Sequence, residues 1–223
     1  MVKDPVDAPN LIADIGGTNA RFALAFPDGR IGSECILSGA DYPDLIQAAA
    51  AYLREVTGPR PRRAAVAVAT PISGDWIQFT NSPWSFSTEA ARQALGLEQL
   101  LIINDFTALA LALPLLGPDE RRQVSEGTAV EKAPIGLIGP GTGLGVSGLV
   151  WSGHHWIPLE TEGGHVTFSA CDEREWAIYR VLQRRFDHVS PERLLSGPGL
   201  VNLYTALAEL EGWSAEDLVP ADI

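Results

Sequence analysis

The chain has 223 residues, 46% of them hydrophobic, which is enough apolar material for one large domain or two modest lobes. Its formal net charge of -12 argues against a general nucleic-acid surface or an anionic-membrane surface, because phosphate groups would be repelled. Only two cysteines occur, Cys35 and Cys171, without a metal-binding spacing, and the first residues show no apolar signal segment. We therefore expect a cytoplasmic protein with no nucleic-acid or membrane partner.

The predicted elements of the N-terminal half begin with an antiparallel meander of three strands. Short apolar runs separated by turn residues predict these strands at 11–15, 21–26 and 31–37. In chain order there follow a helix over 41–56, strands over 63–69 and 76–80, a helix over 88–95, a strand over 100–103 and a helix from about 106. This alternation predicts a sheet that is at least partly parallel.

The C-terminal half repeats the pattern with fewer strands. Strands are predicted at 135–138, 146–151 and 156–159, and helices at 172–186 and 200–210. The polar stretch 117–133 is the expected boundary between an N-terminal α/β lobe over 1–117 and a second α/β lobe over 134–223. We expect the second lobe to be incomplete.

Two glycine-threonine turns, each between two apolar strands, are the most informative motifs. The turn residues are Gly16, Gly17 and Thr18 in the first and Gly141, Thr142 and Gly143 in the second. Glycine lets consecutive N–H groups converge on an anion, and threonine adds a hydroxyl donor. The stretches 11–25 and 137–149 share this order, as a duplicated hairpin would. A single such turn is more often a plain hairpin, but the matched pair predicts a two-sided site for nucleotide phosphate.

Other phosphate motifs fit less well. Residues 143–148 match G-x-G-x-x-G, but a strand follows where the dinucleotide motif needs a helix. The stretch 14–18 is similar to the D-x-D-x-T of aspartate-nucleophile phosphatases, except that Gly16 replaces the carboxylate that donates a proton. No P-loop motif occurs.

Three polar residues at predicted strand ends are candidates for the chemistry. Asp14 could hold Mg²⁺ through water molecules, or it could form an Asx turn that supports the loop. Asn104 and Asp105 could cap the next helix, and Asp105 could also act as a catalytic carboxylate. Because helix N–H groups favour the ionised form, we expect Asp105 to stay ionised and to accept a hydroxyl proton. The pattern as a whole predicts a small-molecule kinase.

A further motif presents side chains of the type that bind sugars. Glu162 and His165 flank two glycines that we expect to bring the backbone close to a ligand, and the spacing is poor for a di-metal site. His154 and His155 are predicted to lie in a solvated turn. Ser190 is predicted to cap a helix that starts at Pro191, and no role for Glu192 follows from its spacing.

These motifs together closely resemble bacterial glucokinase. The matching segments, which span nearly the whole chain, are 14–21, 103–108, 139–145, 162–166 and 196–204. The resemblance implies the actin-like ATPase (ribonuclease H-like) fold, in which two lobes close over sugar and ATP. The zinc-binding cysteine cluster of the related repressor and sugar-kinase family is missing from the sequence, which favours the glucokinase branch.

The resemblance also implies the roles of individual residues. By this resemblance Asp105 is the base, and the residues that bind the glucose hydroxyls are Asn104, Glu162, His165 and Glu192. The expected ATP-phosphate contacts are Ala13, Asp14, Ile15, Gly16, Gly17, Thr18, Gly141, Thr142 and Gly143, with Mg²⁺ held near Asp14. The implied function is ATP-dependent phosphorylation of D-glucose to glucose 6-phosphate, the first step of glycolysis.

The resemblance leaves several alternatives open. Family members continue past Ile223 with an adenosine-binding segment, so we expect little kinase activity from residues 1–223. A kinase for another hexose and a catalytically silent sugar-binding or regulatory remnant are the alternatives. A homodimer is left open as the assembly, with glucose and ATP as the other partners.

Overall fold

A computed structural model describes residues 8–79 and 82–223. The described residues form two compact units that divide between Leu109 and Ala110, and each unit has its own sheet. The lobe bounds predicted from the sequence stay predictions. In the described part of the chain, no helix is long and apolar enough to cross a membrane.

The first unit contains a five-stranded mixed sheet and a separate two-stranded one. Its strands and helices are β1 (Asn10–Ile15), β2 (Asn19–Ala25), β3 (Ile31–Ser38), α1 (Leu45–Glu55), β4 (Arg63–Val68), β5 (Trp76–Gln78), β6 (Ser85–Ser87), α2 (Thr88–Ala94), β7 (Gln99–Asn104) and α3 (Asp105–Ala112), the last of which contains the division between the units. The large sheet has the order β3-β2-β1-β4-β7. The predicted antiparallel meander and the partly parallel sheet are both confirmed.

The register of this sheet places three strand ends at one edge. β1, β4 and β7 are parallel, and Ile15 pairs with Val68, which pairs with Asn104. The first glycine turn follows β1 and Asp105 follows β7, so both leave the sheet at the carboxyl edge. This is the edge at which ligands bind in open α/β sheets.

One face of the sheet carries the apolar core of the first unit. Burial alternates along β4, where Ala64, Val66 and Val68 are buried, because successive side chains point to opposite faces. The Phe22 ring stacks on Tyr52 of α1 at a centroid distance of 5.3 Å. Trp84, which precedes β6, is among the most buried large side chains. The strands that carry the site are therefore anchored from one side.

The second unit has a three-stranded antiparallel sheet and two helices. The elements are β8 (Ile135–Pro140), β9 (Leu144–Trp151), β10 (Trp156–Leu159), α4 (Glu173–Gln183) and α5 (Gly197–Glu211), with single 3₁₀ turns at Gly163–His165 and Pro191–Arg193. A compact apolar cluster lies between the helices and the segment that joins them; its buried members are Ile178, Val181, Leu182, Val189, Leu194 and Ala206.

Local hydrogen bonds explain where the elements differ from the predictions. Helix α1 begins at Leu45, and not at the predicted residue 41, because the Asp44 carboxylate accepts a hydrogen bond from the Gln47 N–H. A 3₁₀ turn, Gly39–Asp41, ends at the predicted start. The predicted start at Pro191 is only a 3₁₀ turn, and Ser190 makes no side-chain cap bond. Strand β6 was not predicted, since three residues carry too little pattern. The end of the strand predicted over 76–80 lies outside the described residues.

Candidate functional site

The first glycine-threonine turn, residues 16–18, is held by backbone hydrogen bonds. The Gly16 N–H donates to the Asn19 carbonyl at 2.9 Å, and the Gly39 N–H donates to the Thr18 carbonyl at 2.8 Å. The Trp84 indole N–H in turn donates to the carbonyl of Gly39 at 3.2 Å. Within the described residues, the N–H groups of Gly17 and Thr18 have no acceptor. Two amides of a fixed turn are thus available to an anion.

Asp14 lies on β1 beside this turn and pairs across the hairpin with Arg21. The distance from Asp14 Oδ2 to Arg21 Nη1 is 2.9 Å, and both side chains are about half exposed. The carboxylate bonds to a guanidinium and not to a following backbone N–H, so the Asx-turn alternative is wrong. A single accessible carboxylate suits Mg²⁺, which keeps several waters and takes phosphate oxygens as further ligands. Among residues 8–79 and 82–223, no group of three or more His, Cys, Asp or Glu could hold a metal ion directly.

Neighbouring residues Ala13 and Ile15 contribute in a different way. The Ile15 side chain is buried in the core, Ala13 packs against that core, and the backbone of both belongs to the β1 ladders. Both residues thereby fix the position of Asp14 and of the turn, and their predicted part in phosphate binding stays a prediction.

Asn104 and Asp105 lie where β7 passes directly into α3. The Asn104 side-chain carbonyl accepts hydrogen bonds from the N–H groups of Phe106, at 2.9 Å, and Thr107, at 3.3 Å. Its amide nitrogen donates to the Thr70 carbonyl at 3.3 Å. The predicted cap is confirmed for Asn104. This bonding fixes the strand-to-helix connection from which the Asp105 side chain projects.

The pKa of the Asp105 carboxyl is raised above its usual value, chiefly by burial. The negative charge of Asp14 raises it further, while a hydrogen bond from the Phe106 N–H, 2.9 Å from Oδ1, opposes the shift. The N–H group of Phe106 favours the ionised form of Asp105, as expected, but the loss of hydration has the larger effect on the pKa. A carboxylate with a raised pKa is a stronger base than an ordinary aspartate.

The second glycine-threonine turn, residues 141–143, is also held by backbone hydrogen bonds. It joins the antiparallel strands β8 and β9, and the Gly141 N–H donates to the Gly143 carbonyl at 2.8 Å. The Gly197 N–H, at the start of α5, donates to the Gly141 carbonyl at 2.7 Å. The N–H groups of Thr142 and Gly143 have no acceptor in the described part of the chain. The predicted order of strand, glycine-threonine turn and strand is confirmed for both hairpins, each of which is antiparallel.

Three predicted sugar-binding residues come together in the second unit. His165 Nε2 lies 3.8 Å from Glu162 Oε2, and His165 Nδ1 lies 3.7 Å from Glu192 Oε1. Both distances exceed hydrogen-bond length, so these atoms keep capacity for other partners. The side chains of Glu162 and His165 are more than half exposed, whereas 24% of the Glu192 side chain is exposed. The arrangement provides several hydrogen-bond acceptors within one side-chain cluster.

The glycines between Glu162 and His165 serve packing. A Cβ at Gly164 would overlap the Leu144 carbonyl oxygen, and a Cβ at Gly163 would lie 2.8 Å from Val146 Cγ1. The expectation that these glycines bring the backbone close to a ligand is wrong, because the space left by the missing side chains is filled by β9.

Comparison with known proteins identifies the family. A family model described as glucokinase matches residues 11–223. The chain belongs to the glucokinase family. The predicted resemblance is thereby confirmed.

The curated relatives of this glucokinase-family chain are longer than it is. Glucokinase of Chromobacterium violaceum is 50% identical over 215 residues, which cover 96% of this chain and 62% of the relative. The protein named bifunctional protein glk of Burkholderia thailandensis is 49% identical over 218 residues, covering 97% of this chain and 34% of the relative. The chain thus spans about a third of one relative and less than two thirds of the other.

Solved structures of glucokinases share the fold. Glucokinase from an Antarctic psychrotroph has a TM-score of 0.85 at 38% identity, covering 96% of this chain and 68% of that one. Glucokinase from Balamuthia mandrillaris, solved in complex with glucose, has a TM-score of 0.72 at 20% identity, covering 99% and 69%, and shows likeness of fold alone. The predicted α/β fold class of the sugar kinases is confirmed.

Some residues that shape this glucokinase-family site were missed by sequence reasoning. Trp84 and Gly39 support the first turn, and the Leu144 N–H donates to the Glu192 carboxylate at 2.9 Å. The residues in these two contacts are separated by 45 and by 48 positions in the sequence, so no local sequence pattern predicts the contacts. His154 and His155 are exposed in the turn between β9 and β10, as predicted.

Proposed function

We propose that the chain carries the machinery for ATP-dependent phosphorylation of D-glucose to glucose 6-phosphate. The observation that supports this most directly is the carboxyl edge of the first sheet, where the free amides of the first turn follow β1 and the base candidate Asp105 follows β7, with β4 between the two strands. A kinase needs both features, because phosphate must be held while a hydroxyl loses its proton. Membership of the glucokinase family supports glucose as the acceptor.

In the proposed reaction, Asp105 accepts the proton of the glucose 6-hydroxyl as that oxygen bonds to the γ-phosphorus of ATP. The bond from phosphorus to the bridging oxygen breaks in line, and ADP leaves with that electron pair. The raised pKa of Asp105 suits this role, since its carboxylate holds a proton more readily than an ordinary aspartate.

The remaining residues bind and orient. Sugar hydroxyls form hydrogen bonds with Glu162, His165 and Glu192. Asn104 adds the hydrogen-bonding positions of its side chain that are not used in capping α3. The free amides of residues 17, 18, 142 and 143 bind phosphate oxygens. Mg²⁺, held through water near Asp14, would neutralise phosphate charge.

The cellular setting is part of the proposal. Cys35 and Cys171 are both free thiols, which is consistent with a reducing cytoplasm. There the reaction would supply the first step of glycolysis. A homodimer remains a prediction that light scattering of the purified protein can check.

Steady-state kinetics test the function. The parent protein in this test carries the chain together with any native downstream sequence. Formation of glucose 6-phosphate by this parent and by its Asp105→Ala variant is followed by coupled reduction of NADP⁺, while calorimetry measures glucose binding. We expect kcat to fall about 10²–10⁴-fold in the variant, the usual contribution of a positioned base, with glucose binding retained. A parent that binds glucose without turnover would contradict the proposed function and support a silent sugar-binding protein.

A further inference from the structure

The two carboxylate oxygens of Glu192 serve different neighbours. Oε2 accepts a hydrogen bond from the Leu144 N–H at 2.9 Å, directly after the second glycine-threonine turn. Oε1 lies 3.7 Å from His165 Nδ1, in the cluster proposed to bind sugar. One side chain therefore touches the proposed phosphate turn and the proposed sugar cluster.

Gly143 leaves the space that this carboxylate occupies. A Cβ at position 143 would lie 2.6 Å from Glu192 Oε2 and 3.4 Å from its Cδ, and no other atom would come within 4 Å. The Gly143 backbone is not in the left-handed region, so the conformation itself does not demand glycine. The atoms in the way are the far end of a flexible side chain. An alanine would therefore displace the carboxylate and leave the backbone where it is.

The backbone around Glu192 is tied to the same turn. Its carbonyl accepts a hydrogen bond from the Ser196 hydroxyl at 2.7 Å, and Ser196 also caps α5 by accepting from the Gly199 N–H at 3.0 Å. The Gly197 N–H then donates to the Gly141 carbonyl at 2.7 Å. The segment from 192 to 197 thus contacts both ends of the turn.

We propose that Glu192 is a positioning residue that couples sugar binding to the shape of the second phosphate turn. The coupling requires that position 143 carry no side chain. This inference rests on the proposed function, because it takes the cluster of Glu162, His165 and Glu192 as the sugar site. Under this proposal Gly143 affects the affinity for sugar through Glu192, although Gly143 itself belongs to the phosphate turn.

The first experiment measures glucose binding by calorimetry, without nucleotide, for the full chain and for Gly143→Ala. Because the displaced carboxylate loses a charge-assisted hydrogen bond and its place beside His165, we expect affinity to fall roughly tenfold or more. Gly136→Ala, on β8 of the same hairpin, is the control, since a Cβ there meets nothing within 4 Å. Equal glucose affinity of parent and Gly143→Ala would overturn the proposal.

A second experiment follows the Leu144 amide by NMR hydrogen exchange, with no ligand present. We expect Glu192→Ala to speed exchange at Leu144 roughly tenfold or more, because the N–H loses its acceptor, and Glu192→Gln to keep protection through its amide carbonyl. An ATP analogue should then bind the Ala variant more weakly than the Gln variant. Unchanged Leu144 exchange in Glu192→Ala would overturn the proposed coupling, whether or not the parent binds glucose. A parent that binds no glucose would contradict the proposed function, which is a separate result.

Discussion

Asp105 is subject to opposing electrostatic effects at the scale of one residue. Burial and the charge of Asp14 raise its pKa, while the first N–H groups of α3 favour its ionised form. Because the raised pKa exceeds that of the unfolded chain, the ionised carboxylate costs folding free energy at neutral pH. That cost disappears as the pH falls, because the carboxyl group is then protonated in both the folded and the unfolded protein.

Asp105→Asn should therefore unfold at a higher urea concentration than the parent at neutral and alkaline pH. The asparagine keeps an acceptor for the Phe106 N–H and removes the buried charge. The gain should shrink as the pH is lowered from the alkaline end, because the parent carboxyl takes up its proton in the folded protein before it would in the unfolded chain.

An exposed aspartate is the control for this stability experiment. Hydrogen bonds from Arg30 lower the pKa of Asp28, so Asp28→Asn should show no gain at the alkaline end. A parent as stable as Asp105→Asn at pH 8 would show that the Asp105 site is well hydrated in solution.

Glu162→Gln and His165→Ala should weaken glucose binding far more than binding of an ATP analogue. These side chains lie together in the cluster that we propose to bind sugar, and a site that pairs hydroxyls loses roughly tenfold or more in affinity when one partner is removed. Calorimetry with each ligand separates the effects. Equal losses for both ligands would assign the segment a structural role instead.

At the scale of elements, the 3₁₀ turn that carries His165 is positioned by close packing against β9. Gly164→Ala should destabilise the protein by about 1–3 kcal/mol, because the new Cβ meets the Leu144 carbonyl oxygen and the backbone must move. Urea unfolding measures the loss. Gly136→Ala, which has open space, should stay within about 0.5 kcal/mol of the parent.

If the two alanine variants were equally stable, the turn would be loosely packed in solution. The expected difference between Gly164 and Gly136 also shows that the sequence predicts where a backbone must be tightly packed, but not what packs against it. The glycine pair between Glu162 and His165 indicated a backbone without room for side chains. It did not indicate that β9, and not a ligand, fills that room.

At the scale of the whole molecule, the sequence predicts connectivity better than long-range contacts. Alternating strands and helices predicted a sheet that is at least partly parallel, and the parallel register of β1, β4 and β7 confirms it. The paired turns were also predictable, since each is encoded within a few residues. The bond from Leu144 to Glu192 was not, because it depends on how α5 and the turn before it pack on a hairpin 48 residues earlier.

The charge of the whole molecule predicts how ionic strength affects nucleotide binding. The chain has 28 acidic and 16 basic residues, so a polyphosphate would be repelled as it approaches and would then be held by the amides proposed to bind it. Raising NaCl from about 10 to about 150 mM shortens the Debye length from roughly 30 to 8 Å and screens that repulsion. Stopped-flow association of a fluorescent ATP analogue should therefore become faster with salt, whereas binding of uncharged glucose should not change. If nucleotide association slowed steeply with salt, a basic surface would be steering the ligand, and the phosphate would depend on side-chain cations more than on the amides of the two turns.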